Sequence, residues 1–239
     1  MRNLSPDLKR LRERGSLPRH TWQLLSVALV FTVFACCACG SDQSDTAPIA
    51  TARRLLSGTT VTVKGFVTVP PGLFASFTGE KGFAIEDSTG GIYVGLESEA
   101  NLSLGREVRV TGQLAEIAKL TVVSSRIELV KQLTRQSFVQ PENVTTGAVS
   151  TTTEGRLVRI HGTITHPVGD DRPYGYKIFL DDGSGEIQVF VPVSTGIDPL
   201  TLPGLQAGHR LTTIGFSGRF NETYEVISRF AADLAVVAP

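Results

Sequence analysis

The chain has 239 residues, with 23 basic and 23 acidic side chains and 41% hydrophobic residues. That is enough apolar material for a buried core, which excludes disorder as a whole-chain description, and the balanced charge excludes a strongly basic nucleic-acid binder. The 24 glycines beside one Met and one Trp predict many turns and few long helices, in one large domain or two small ones.

The net charge of zero hides an asymmetry. Residues 1–39 hold six bases and two acids, leaving 17 bases and 21 acids for the rest. A polar, basic stretch over 2–20 is followed by 17 uncharged residues, Trp22 to Ala38. A membrane-spanning helix needs about 20 apolar residues, so this run suits the core of a signal peptide. It ends in Val33-Phe34-Ala35-Cys36-Cys37-Ala38-Cys39-Gly40. This resembles the lipobox of bacterial lipoproteins, with an aliphatic residue three before the modified cysteine and a small one directly before it. Cys36 fits with Val33 and Ala35, and Cys39, preceded by Ala38, ranks second. The resemblance implies a diacylglycerol on the cysteine, often with a further acyl chain (a palmitate-type modification), and more than one chain is what stable anchoring requires. All three cysteines lie before Gly40, so the exported part has neither a disulfide nor a cysteine metal site. Residues 40–52 read as a flexible tether.

The remainder is one unit written twice. Val61, Val63, Gly65 and Val67 match Val158, Ile160, Gly162 and Ile164 at an offset of 97. Phe83 to Val94 matches Ile178 to Val189 at 95, each copy reading strand, Asp/Gly turn, strand. Gly105, Gly112 and Arg126 match Gly208, Gly215 and Arg229 at 103. The offset changes between strands, where loops absorb insertions.

Each copy predicts a long strand, a hairpin and two more strands, with a glycine inside the first and fourth, which lets a strand bend at a barrel corner. This is the strand arithmetic of a small closed barrel. The fold class is therefore all-β, with two tandem five-stranded OB-fold-like Greek-key barrels after the signal peptide. The helix usual between the third and fourth strands looks vestigial, because Asn101–Leu104 is short and Pro199–Pro203 is proline-bounded. The boundaries predicted are 1–39 signal peptide, 40–52 tether, 53–131 first barrel, 132–153 linker and 154–239 second barrel, with the barrels separable within the linker. The run Gly65-Phe66-Val67-Thr68, then Gly82 to Asp87, Gly90 to Val94 and Leu104 to Gly112 resembles OB modules of exported bacterial proteins, some of which precede the catalytic domain of secreted nucleases. The likeness speaks for the fold and little for function.

In such barrels the outer face of the second and third strands is the usual ligand surface. Alternation points Ile178, Leu180, Ile187 and Val189 inward and Lys177, Phe179, Asp181, Gln188 and Phe190 outward. Tyr174, Tyr176, Arg219, Phe220 and Tyr224 join them from the flanking loops. Aromatics beside cations suit stacking on single-stranded bases, at roughly 1–3 kcal/mol per base. The ligand-binding candidates are Tyr176, Lys177, Phe179, Phe190, Arg219, Phe220 and Tyr224. The competing reading has Phe179 and Phe190 packed against the other barrel. In the first copy the outward set, Ala84, Glu86, Tyr93, Gly95 and Glu97, is a poor platform for bases. Residues 154–239 carry seven bases and ten acids, so affinity for phosphates is expected to be weak.

No catalytic, cofactor or metal site is expected. Asp181 to Glu186 reads as a hairpin turn rather than a calcium loop, His161 and His166 lack ligand partners at metal spacing, and no nucleophile-elbow or phosphate-loop motif occurs. The expectation is a lipid-anchored protein of the bacterial cell envelope, not an enzyme. Its OB modules would bind single-stranded nucleic acid or another extended polymer, or else an envelope protein partner. A nuclease-type enzyme is the least favoured class.

Overall fold

The strands follow from alternation, and their pairing closes two barrels. The computed structural model describes residues 46–74 and 81–237. The predicted signal peptide, Cys36 and Cys39, and residues 40–45 of the tether lie outside the described residues.

The first barrel is built from β1 (Thr60–Val69), β2 (Phe83–Glu86), β3 (Gly91–Gly95), β4 (Arg106–Ile117) and β5 (Leu120–Ser124). They pair in the order β1-β2-β3-β5-β4, and β4 closes onto β1. Only the β3–β5 pair is parallel. A further strand, β6 (Val130–Gln136), lies antiparallel to β4. The second copy repeats this with β7 (Glu142–Asn143), β8 (Leu157–Ile164), β9 (Gly169–Asp171), β10 (Gly175–Asp181), β11 (Ile187–Pro192), β12 (Arg210–Phe220), β13 (Thr223–Ser228) and β14 (Leu234–Val237). Its barrel runs β8-β10-β11-β13-β12 and closes from β12 to β8, with β11–β13 parallel. β14 pairs with β12 as β6 does with β4, β7 adds to β8, and β9 adds to β10. This is the OB-fold topology, twice. In place of the usual helix, the second copy has two 3-10 turns, Val193–Thr195 and Pro199–Thr201, the latter capped by Asp198, which accepts from the Leu200 N–H at 3.0 Å.

The glycine inside each first strand has a steric cause. A Cβ on Gly65 would stand 2.8 Å from the Glu86 carbonyl oxygen, and one on Gly162 would stand 2.9 Å from that of Asp181. Only glycine lets the first strand bend this closely over the second. Apolar strand positions form the cores, Ile178, Leu180 and Ile187 among them as expected. Val61, Val63, Phe83, Ile85, Ile92 and Val108 are buried in the first barrel, and Val158, Ile160, Ile178, Leu180, Ile187 and Leu211 in the second.

The repeat extends further than the strands alone suggest, and this corrects two boundaries. Residues 46–52 are not tether. Ala47 bridges to Val63, and a helical turn, α1 (Ile49–Ala52), buries Ile49 and Ala52 in the first core. Residues 132–153 are not a free linker. The first five belong to β6, and from Glu142 the chain is already the arm of the second barrel. The two arms are fastened alike. The Asp87 carboxylate accepts from the Ile49 N–H at 2.9 Å, and Asp182 accepts from the Thr146 N–H at 3.2 Å and hydroxyl at 2.8 Å. Polar composition misled here because a sixth strand and an arm on a barrel's outside need few apolar residues.

The barrels belong to one compact unit, residues 42–239, and share a third apolar cluster. Val69, Phe74, Ala84, Tyr93, Leu120 and Val122 of the first pack with Phe190, Phe216 and Ile227 of the second. Phe74, Tyr93 and Phe216 form an aromatic triad with centroids 5.9–6.4 Å apart. At one edge of this seam the backbones touch, since a Cβ on Gly91 would lie 1.9 Å from the Gly155 carbonyl oxygen. Buried polar groups complete it. Glu86 accepts from the Leu157 N–H at 2.8 Å and pairs with Arg156 at 3.4 Å. Glu154 pairs with Arg53 at 2.7 Å and accepts from the Thr121 N–H at 3.2 Å. Arg229 donates to the Thr68 carbonyl at 2.7 Å while its other nitrogens hold Asp233.

Candidate ligand trough on the second barrel

Register decides what each outer face offers. In the second barrel, Phe179 pairs with Gln188 and Gln188 with Glu225, so the three form a row across β10, β11 and β13. The next row is Lys177, Phe190 and Ile227. In the first barrel the row equivalent to Phe179-Gln188-Glu225 is Ala84-Tyr93-Val122. All three of those residues are fully buried in the seam. The first barrel's ligand face is therefore spent on docking. On the second barrel's face Phe190 and Ile227 lie under the first barrel and Glu225 lies beneath Gln188, while Lys177, Phe179 and Gln188 stay partly exposed.

Two hollows border that face, the smaller one reaching round to Thr146, Gly147 and Val149 of the arm. One, of about 510 Å³, is lined by Asp171, Tyr174, Lys177, Gln188, Phe190, Phe220, Thr223 and Glu225. The other, of about 370 Å³, takes in Phe179, Glu186, Glu222 and Tyr224. Gln188 and Thr223 line both, so the hollows are adjacent, and together they are called the trough below.

Four of the predicted residues, Lys177, Phe179, Phe220 and Tyr224, meet in this trough. Lys177 lies 3.0 Å from the Asp171 carboxylate. Phe179 is half-buried and edge-on to the His166 ring at 5.4 Å. Phe220 is 48% exposed at the rim. Tyr224 bonds the Thr151 hydroxyl through its own and carries the Arg219 guanidinium 5.0 Å above its ring.

Three predicted residues are placed otherwise. Tyr176 was expected in a loop; it lies inside β10 on the side of Ile178 and Leu180, buried in the second core. The alternation that placed those two would have placed it, had the strand been started at Gly175. Phe190 does face outward, but the first barrel covers it, leaving it 7% exposed. Arg219 is turned onto its own hairpin, donating to the Asn221 carbonyl at 2.8 Å and meeting Glu222 at 3.3 Å.

The sequence reading missed Glu225. It sits in the apolar strand β13, 2% exposed, and accepts from the Gln188 amide at 2.6 Å. Burial pushes its carboxyl up to about 7, against the pull of the Gln188 bond and of Lys177. A lone acid amid Tyr224, Val226 and Ile227 was the available signal. Thr223 was also passed over, and Asp171, read as part of a loop, lies in β9; both join the site only because β9 and β13 are brought beside β10 and β11. Among the described residues, no group of three or more His, Cys, Asp or Glu is gathered to hold a metal ion.

No family model matches the chain, and no curated protein matches it. Solved structures resemble it in strand architecture. A murine DNA-binding protein bound with double-stranded DNA shares 9% identity over 77% of this chain and 97% of its own, with a TM-score of 0.37. The hypothetical protein ygiW from E. coli shares 13% identity over 37% of this chain and 89% of its own, at 0.29. The S. pombe Stn1-Ten1 complex shares 17% identity over 35% of this chain, at 0.29, and this chain spans only 59% of that one. The scores are too low to carry an argument, and the OB-fold assignment stands on the strand pairing of the two barrels.

Proposed function

We propose that the chain is a lipid-anchored binding module of the bacterial cell envelope, in which the first barrel is a scaffold and the second holds an extended polymer along its trough. The observation that supports this most is the asymmetry of the two equivalent rows. The same face is apolar and covered in one barrel, polar and open in the other. Two adjacent hollows suit a chain-like ligand that reaches from one to the next, and each falls in the roughly 300–1,000 Å³ range of small-ligand sites. Single-stranded nucleic acid and neutral polymers are the two classes the aromatic lining admits.

Two measurements test the reading. A fatty-acid probe fed to producing cells should label the mature chain, with label lost in Cys36→Ala and kept in Cys39→Ala; an unlabelled soluble product overturns the anchor. Hydrogen exchange of the mature protein with single-stranded oligonucleotides and oligosaccharides should show ligand protection on β10, β11 and β13. Protection elsewhere, or with no polymer at all, overturns the binding role.

A further inference from the structure

We infer that the trough selects a neutral, hydroxyl-rich oligosaccharide, an inference that rests on the binding-module reading above. Charge is the first argument. The two hollows are lined by one lysine, Lys177, and four carboxylates, Asp171, Glu186, Glu222 and Glu225. That lysine is already compensated by Asp171 at 3.0 Å, and the nearby Arg219 and Lys119 both share Glu222. Single-stranded nucleic acid needs a surplus of cations along its phosphates, and this surface offers none.

Hydrogen-bonding character is the second argument. Sugar hydroxyls both donate and accept, and they are best met by groups of both kinds set side by side. Gln188, the residue common to both hollows, carries an amide donor and an amide acceptor, Thr223 offers a hydroxyl, and Lys177 donates beside the accepting Asp171. Glu225 holds the Gln188 amide nitrogen at 2.6 Å, which fixes the orientation of that side chain in the trough floor.

The third argument is the rings. Tyr174 and Phe220 are 58% and 48% exposed at the rim of the larger hollow, and Phe179 and Tyr224 line the smaller. The C–H face of a sugar ring covers an aromatic face without requiring charge, and the OB-fold surface accommodates oligosaccharides as well as oligonucleotides. Rings at both ends of a polar middle fit an oligomer of at least two sugar units.

Calorimetric titration of the mature protein against chitohexaose, cellohexaose and maltohexaose, and against the single strand dT12, tests this. Saturable binding is expected for at least one neutral hexasaccharide, insensitive to added salt, and for dT12 none. Tyr174→Ala and Phe220→Ala, both at exposed rim positions, should each weaken sugar binding at least about fivefold. Sugar-dependent hydrogen-exchange protection of β10, β11 and β13 in the unmodified protein locates the site independently of any variant. If dT12 binds on those strands and no sugar does, the sugar inference falls while the binding-module reading stands. If none of the four ligands binds, both fall. Sugar binding that survives both substitutions and protects other strands overturns the trough as the site.

Discussion

Ala84-Tyr93-Val122 and Phe179-Gln188-Glu225 occupy the same places in two copies of one barrel. The first row has become an interface inside the molecule, and the second has stayed a surface. The difference lies in three side chains. A small residue, a ring and a β-branched residue present a surface that a neighbour can cover with Phe216 and Ile227, whereas an amide and a carboxylate at the same positions would need partners if covered. A duplicated fold can thus divide two jobs between its copies without altering a strand.

The seam is where the comparison can be broken most sharply. Phe216→Ala opens a cavity in the triad with Phe74 and Tyr93, and should lower unfolding stability by about 3–5 kcal/mol. Urea denaturation measures it; a loss under 1 kcal/mol would mean that the seam contributes little.

Arg229 and Arg126 make a second pair of equivalent positions. Arg229 is 7% exposed, bidentate to Asp233 and bonded to Thr68 of the other barrel. Arg126 is exposed, with only Glu128 at 3.7 Å. Arg229→Ala leaves Asp233 buried and unpaired and should cost about 3–5 kcal/mol. Arg126→Ala should stay within about 0.5 kcal/mol. Similar losses in the two variants would contradict the asymmetry.

Two carboxyls carry it into pH dependence. Burial raises Glu86 in the seam to about 7, opposed by the Leu157 N–H and Arg156 and aided by Glu142 and Asp87, and Glu225 in the trough also sits at about 7. A raised carboxyl binds its proton more tightly when folded. Stability is therefore full below the ordinary value of 4.5 and declines as pH rises through about 7, by up to about 3 kcal/mol for each group. Thermal melts across this range should show Tm falling with rising pH, and Glu86→Gln and Glu225→Gln should each flatten the profile. A Tm that rises with pH in both variants and parent would refute the shifts.

The smallest effect tests what the copies share. Asp87→Ala and Asp182→Ala each release an arm from its hairpin turn and should cost about 1–2 kcal/mol apiece. A marked inequality between them would show that only one arm is held this way.

Much of the fold was legible because it is periodic. Alternation over Val61 to Val67 and Val158 to Ile164 marks strands, the Asp/Gly turns mark hairpins, and the repeat offsets mark two barrels. The predicted core residues are buried for the same reason, since a strand's inward side is set two residues at a time. Residues 46–52 and 132–136 were not legible as parts of the barrels. The arm is too short to show a period, and β6 is an edge strand exposed along nearly its whole length.

The candidate site was legible as a face and not as a site. Lys177, Phe179, Gln188 and Phe190 do point the same way, as alternation requires. What each of them does depends on what lies above it. Phe190 is covered by the first barrel, Lys177 is matched by Asp171 from β9, and Glu225 arrives from a strand 37 residues beyond Gln188. The sequence alone determined local conformation and sidedness, which depend on a residue's immediate neighbours. Only the tertiary structure decided which side meets the other barrel and which stays open, because packing and charge pairing are set by residues distant in the chain.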